Sequence, residues 1–356
     1  MNSALNEKKK FSVPKIAWTI LALLVILGIV LAMKPSFFSI TVKEGHLYGS
    51  LIDVIKSVSQ LALIAIGMTL VIATGGIDIS VGSTMAVSAA IACSFLESRG
   101  IFGFNGLNDN FIAAIGIPLV IGAIFGLWNG FLIAKIKIQP VVATLILMVA
   151  GRGLAQLITE GKIVIVSKSA THYDSFYYLA NGYLLGVPFS IFIVLAIFAV
   201  IMLLSKFTAF GLFLESAGIN SKSSRLSGVA VDRIKLIVYA LCGFLAAISG
   251  LIYSSNTVSA DAAYCGMFIE MDGILAVAIG GGNLNGGKFN LTSSVIGAVI
   301  ITTLQVAIRS VGVPSQLIYL VKAIAVIIIC LLQSENLRRR IVAIFSLKKG
   351  KGVVAA

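Results

Sequence analysis

The sequence predicts an all-α membrane protein of about ten transmembrane helices, and three observations predict it. First, the 356-residue chain is 58% hydrophobic and only 12% charged, whereas a soluble domain carries about 25% charged residues. Second, its apolar residues gather in runs near the ~20 residues that cross a bilayer core. Third, its charges collect between those runs and favour alternate sides. There is too little polar surface to cover a water-exposed globule of this size. The 35 glycines suit helices that pack closely in lipid.

Taken in order, residues 1–15 form a basic tail with Lys8, Lys9, Lys10 and Lys15. The uncharged run over 16–33 is longer than the apolar core of a signal peptide, and no small-residue cleavage site follows it. It reads as an uncleaved first helix. Further spans are expected at about 57–74, 80–96, 111–134, 140–158, 187–205, 236–254, 271–282, 290–308 and 315–333. The span at 271–282 is short and runs into Gly280, Gly281 and Gly282, which marks a half-helix or a broken helix. A second basic tail covers 334–356. The chain is thus one membrane domain over 16–333 between two tails.

Orientation follows from the basic residues. With the N-terminus in the cytoplasm and ten alternating spans, eighteen of the 27 Lys and Arg residues fall in cytoplasmic segments and seven in outer ones. Arg152 and Lys322 fall within spans. The bias predicts an even number of spans and a multi-pass membrane protein with both termini cytoplasmic.

Apart from the tails, the longest polar stretch on the cytoplasmic side is 206–235. It has room for a short helix from about Gly211 to Ala217, a turn at Gly218 and a second short helix. A partner docking from the cytoplasm needs such a protrusion; a plain connecting loop is the other reading. Two glycine-rich breaks also stand out: ATGGIDISVG at 73–82, with Gly75 and Gly76, and AIGGGNLNGG at 278–287. Glycine lets a chain turn sharply, and paired interruptions are the trace of two pseudo-repeated halves. Spans two to five and seven to ten make up those halves.

Several chemistries are excluded. The net charge of +13 is spread over the ends of apolar runs and is not gathered on a polar domain, which excludes a nucleic-acid surface. Cys93, Cys242, Cys265 and Cys330 show no metal or redox spacing, and His46 and His172 form no cluster. No metal site and no catalytic residues are expected. GNLNGGK at 282–288 follows the phosphate-loop pattern as far as its lysine, but Phe289 stands where a metal-binding Ser or Thr belongs.

Charges inside the spans are few, so each bears on function. Arg152, between Gly151 and Gly153, is either a donor or gate on a solute path or an arginine paired within the bundle. Lys322 reads as structural. Asp78 suits the capping of a helix start, and Glu270 and Asp272 suit the positive end of a helix dipole. Gln60, Thr69, Asn129, Thr144, Gln156 and Gln305 join Arg152 as candidates for lining a solute path. Hydroxyl and amide side chains suit uncharged polyols, and they equally serve as interhelical hydrogen-bond partners.

Three stretches carry a family resemblance: GMTLVIATGGIDISVGS (67–83), NGFLIAKIKIQPVVATLILMVAGRGLAQLITEG (129–161), and ESAGINSKSSRLSGV (215–229) followed by MDGILAVAIGGGNLNGGK (271–288). They resemble the permease subunits of ribose- and galactofuranose-type ABC importers, over about 50–333. The second stretch is most similar to galactofuranose-type members.

That resemblance implies a permease for a sugar or sugar-like solute, paired with a second permease as homodimer or heterodimer. It implies a separate ATPase that holds ATP and magnesium, none being held in this chain, and a periplasmic or lipid-anchored binding protein. In the segment 206–235, Glu215, Ser216, Ala217, Gly218 and Asn220, continued by Arg225 and Gly228, resemble the family's ATPase contact. Alternatives are a permease of the same build for a nucleoside or other polar solute, and an ion-coupled carrier. The carrier needs mid-span carboxylates that the apolar runs do not plainly offer.

Overall fold

The computed structural model describes residues 15–43, 46–99 and 110–333. Except for Lys15, the two basic tails lie outside the described residues. Among the described residues the helices are α1 (Lys15–Met33), α2 (Ser50–Ala73), α3 (Val81–Leu96), α4 (Phe111–Phe131), α5 (Pro140–Ile158), α6 (Tyr173–Asn181), α7 (Phe189–Phe207), α8 (Ala209–Ile219), α9 (Ser221–Leu226), α10 (Val231–Thr257), α11 (Ile269–Ile279), α12 (Leu291–Ser310) and α13 (Ser315–Gln333). Short antiparallel pairs join β1 (Thr41–Lys43) to β2 (His46–Tyr48), β3 (Val164–Ile165) to β6 (Ser259–Ala260), and β4 (Tyr183–Leu184) to β5 (Val187–Pro188).

Each segment expected to cross the membrane carries a helix. Among the described residues, six are long and apolar enough to cross by length and composition: α2, α4 with the π-turn Leu132–Ile136 that follows it, α5, α7, α10 and α12. At about 1.5 Å per residue, the eleven residues of α11 cover roughly half of a ~30 Å hydrocarbon core. Two helices exceed the expected runs. α2 begins at Ser50, not 57, and α10 begins at Val231, not 236. The extra turns carry Asp53, Lys56, Asp232, Arg233 and Lys235, so apolar runs mark the part of a helix that lies in lipid and miss its polar ends.

Burial sorts the helices into a hub and a rim. Every residue of α3 is buried, and α2 is buried without interruption from Leu61 to Ala73. Small side chains let neighbours come close: Ser88 of α3 donates to the Ala247 carbonyl of α10 at 2.8 Å. α4 meets α10 through Gly122, Gly126 and Gly130, spaced by four residues along one face. A methyl at Gly122 would come within 2.6 Å of the Gly243 carbonyl, and one at Gly126 would strike the Tyr239 carbonyl. The rim is formed by α4, α5 and α7, whose outer faces expose Ile112, Val149, Leu157 and Val200. An apolar surface of that extent belongs in lipid or against another chain.

The first glycine break follows α2 and the second follows α11. What the two share is a place in space. Both lie at the end of the bundle that carries α8; the opposite end carries α6 and the strand pairs.

Candidate functional site

The protrusion between α7 and α10 is built by caps. Thr208 leaves α7 in extended conformation, and its Oγ1 accepts from the Phe210 amide at 3.2 Å to start α8. Gly211, Leu214 and Ala217 bury one face of α8 at helical spacing. The turn falls at Asn220 and not at the expected Gly218. Asn220 Oδ1 accepts from the amides of Lys222 and Ser223 at 3.1 and 3.0 Å, capping α9. Gly218 stays helical because it is pressed against backbone, where a side chain has no room. Ser224 Oγ donates to the Ser216 carbonyl at 2.7 Å, folding α9 back on α8. Beyond it, Gly228 takes the left-handed conformation with φ of 84°, and Arg225 forms an ion pair with Asp232 at the start of α10.

This braced corner shows apolar side chains outward. Leu226 is 91% exposed, Ile219 70% and Leu212 68%. Burying one such side chain releases about 1.5–3 kcal/mol, so their grouping on a hydrogen-bonded protrusion suits a docking face. Glu215 is half-buried and lines a cavity of about 520 Å³ beside α8, with Lys206, Asn290 and Thr292.

The connector after α2 holds a buried polar cluster. Asp78 Oδ1 accepts from the Ser80 amide at 2.9 Å and from Ser80 Oγ at 2.6 Å. Asn129 Nδ2 donates to Ser80 Oγ at 2.9 Å, and Thr144 Oγ1 donates to the Pro140 carbonyl at 3.0 Å, with the Ile77 carbonyl 3.5 Å away. Ser80 stands at the N-terminal boundary of α3 without a side-chain cap bond of its own, and the Asp78 carboxylate accepts from its amide just before the helix. In the breaks, Gly75 and Gly281 are left-handed, with φ of 78° and 80°. Gly76 abuts the Tyr239 hydroxyl, a Cβ at Gly280 would lie 2.5 Å from the Ser293 carbonyl, and one at Gly282 would lie 2.6 Å from Val277 Cγ1.

The remaining path candidates lie elsewhere. Thr69 is buried and bonds back to the Ala65 carbonyl at 2.5 Å. The Gln60 carbonyl accepts from Ser249 Oγ at 2.9 Å. Gln156 is exposed on α5. Arg152 donates to the carbonyls of Ala262 and Cys265 at 3.0 and 2.6 Å, stapling the α10–α11 connection. Gln305 Nε2 donates to Asp272 Oδ2 at 2.7 Å, and Lys322 pairs with the same carboxylate. Within one chain the seven do not converge. Asn129 and Thr144 gather at the first break, while Arg152 and Gln305 tie the connection before α11 and the first turn of α11 to other helices.

Sequence reasoning missed the Asp272–Lys322 pair. Its signal was present, because opposite charges inside apolar spans seek one another. At the α6 end a further cavity of about 510 Å³ is lined by Lys34, Asp53, Lys56 and Arg309.

Comparison with known proteins adds a lineage to this geometry. The family model described as "Branched-chain amino acid transport system / permease component" matches residues 50–331. The galactofuranose transporter permease protein YtfT of Escherichia coli (strain K12) is 41% identical over 331 residues, covering 93% of each chain. The fructose import permease protein FruF of Bifidobacterium longum (strain NCC 2705) is 38% identical over 334 residues, or 93% of this chain and 91% of the other. The ribose import permease protein RbsC of Escherichia coli (strain K12) is 34% identical over 318 residues, or 89% of this chain and 93% of the other. No solved structure matches the chain.

Proposed function

Because this chain belongs to the family of branched-chain amino acid transport system permease components, we propose that it is the membrane subunit through which an ABC importer moves a sugar or sugar-like solute inward. As a permease component it conducts and does not catalyse. The sugar class rests on relatives whose names specify galactofuranose, fructose and ribose.

The observation that carries the reading is the α8–α9 protrusion. It sets Leu212, Ile219 and Leu226 outward at the end of the bundle that also carries Lys206, Lys222, Arg225, Arg233 and Lys235. On this reading that end is cytoplasmic, ten helices cross the membrane, and a separate ATPase with ATP and magnesium docks on α8 and α9. Glu215, Ser216 and Asn220 face the ATPase, Ala217 and Gly218 pack inward behind them, and Arg225 and Gly228 hold the corner. A second permease, identical or paralogous, completes the solute path. Gln156, exposed on a membrane helix, is the candidate best placed to face it. A periplasmic or lipid-anchored binding protein delivers the solute to the α6 end.

The test is purification of the tagged chain from its native membrane in mild detergent, with every co-purifying chain identified. Uptake of labelled ribose, fructose and galactofuranose is then measured in vesicles loaded with ATP. An ATPase in the complex and ATP-dependent uptake of one sugar support the reading. A chain that purifies without an ATPase even after crosslinking, and that takes up solute on an ion gradient alone, overturns it.

A further inference from the structure

Three segments far apart in sequence meet at one hydrogen bond. The Gly287 amide, in the second break, donates to the Ala73 carbonyl at the end of α2 at 2.9 Å. The two breaks face each other backbone to backbone: a Cβ at Gly286 would lie 2.9 Å from the Gly75 nitrogen, and one at Gly75 would lie 3.7 Å from the Asn285 carbonyl oxygen. Against this bond sits Gly218 of α8. A Cβ there would strike the Ala73 carbonyl and come within 2.5 Å of the Gly287 nitrogen. Ile219 continues the contact, its Cγ1 3.0 Å from where a Gly287 Cβ would be.

The second break is itself a stiff turn. Asn283 Nδ2 donates to the Gly286 carbonyl at 3.0 Å, and Asn283 Oδ1 accepts from the Asn285 amide at 3.1 Å. Gly286 and Gly287 hold φ values of 92° and 93°, which only glycine adopts without strain. At the junction Ala73, Gly75, Gly218, Gly286 and Gly287 meet through backbone atoms. Packed backbone is bistable and not continuously deformable, so a shift at one member is passed to the others.

Resting on the proposal that α8 and α9 receive the ATPase, we infer that Gly218 is the positioning residue through which that subunit moves both glycine breaks as one body. A push on the protrusion is delivered to the Ala73–Gly287 bond. The ends of α2 and α11 then move together, and with them the starts of α3 and α12. The breaks are therefore a single joint contributed by both parts of the chain.

Gly218→Ala tests this in the purified complex with its ATPase. The expected result is a variant that keeps the ATPase bound, while the ratio of ATP hydrolysed to solute imported rises about tenfold, within the usual range of coupling free energies. Should Gly218→Ala fail to accumulate, a cysteine pair replacing Ile219 and Asn283 decides. Both residues line one cavity of about 630 Å³. Bridging them with a short reducible thiol crosslinker is expected to leave uptake at the rate of the unbridged cysteine pair, because groups that move as one body tolerate a tie between them. A Gly218→Ala complex that imports at the wild-type ratio, or a bridged pair that stops importing until the bridge is reduced, overturns the inference. Absence of the ATPase from the wild-type complex overturns the parent reading instead, and this inference with it.

Discussion

Lys322 of α13 donates to both carboxylate oxygens of Asp272 of α11, at 2.7 and 3.0 Å, with both side chains only 10% exposed. Gln305 of α12 reaches the same carboxylate, and the Lys322 ammonium lies 5.4 Å from the Tyr319 ring centre. One carboxylate thus ties three helices together. Removing either partner leaves a buried charge without compensation, which costs about 3–5 kcal/mol. Lys322→Met and Asp272→Leu are each expected to lower the thermal midpoint in detergent sharply. The double variant is expected to recover most of the loss, because it leaves no orphan charge. Losses that add in the double variant would sink the pairing as the stabilising element.

Much of the architecture is legible in the apolar runs. The run 140–158 coincides with α5, because Pro140 starts that helix and its apolar residues are continuous. Polar helix ends are not legible this way, which is why α10 exceeds its run. The Asp272–Lys322 pair escapes a linear reading because 50 residues separate its members and no periodicity joins them. Gly218 misleads for another reason. Glycine near the end of a short helix reads as a stop, yet here the absent side chain serves a contact that only the fold creates. Asn129 and Thr144 are drawn toward the first break by hydrogen bonds, and composition alone suggests a path instead.

Gly126 lies where α4 and α10 touch backbone to backbone, whereas Gly116, on the same helix, has open space around its Cβ position. Gly126→Val is therefore expected to destabilise the folded chain by about 1–3 kcal/mol through overpacking. Gly116→Val is expected to cost far less. Thermal midpoints of the two purified variants check the contrast, and equal losses would argue against close α4–α10 packing.

Leu226 makes the opposite case, since at 91% exposure it contributes little to the fold. Leu226→Ser should leave the thermal midpoint unchanged. If the side chain seats on the ATPase, its loss weakens that complex by about 1.5–3 kcal/mol. Titration of the purified permease complex with the ATPase subunit measures this directly. Unchanged affinity would remove Leu226 from the docking face.

Arg152 separates a path role from a stapling role. Its two bonds to the carbonyls of Ala262 and Cys265 hold the connection that leads, through Phe268 in left-handed conformation, into α11. Arg152→Gln should lower stability by about 1.5–3 kcal/mol for each charge-assisted bond lost. It should also reduce the maximal uptake rate while leaving the solute concentration for half-maximal uptake unchanged. A shift in that concentration with unchanged stability would place Arg152 on the solute path.

Asp78 decides between energy sources. It is buried, and its Oδ1 receives two bonds from Ser80 and faces Asn129 Nδ2 at 3.5 Å. Asparagine keeps an acceptor oxygen in the same place, so Asp78→Asn preserves the turn into α3 while removing the carboxylate that could carry a proton at this position. Alanine removes the acceptor and strands the Ser80 donors, at about 1–3 kcal/mol for each unmet buried group. If ATP hydrolysis in a partner drives import, Asp78→Asn vesicles loaded with ATP take up solute at close to the wild-type rate. Asp78→Ala vesicles lose uptake in step with lost folded protein. An ion-coupled carrier using this carboxylate behaves differently: Asp78→Asn abolishes gradient-driven uptake even though the protein stays folded. The comparison of the two variants, each with folded protein measured alongside uptake, separates a carboxylate needed for its shape from one needed for its charge.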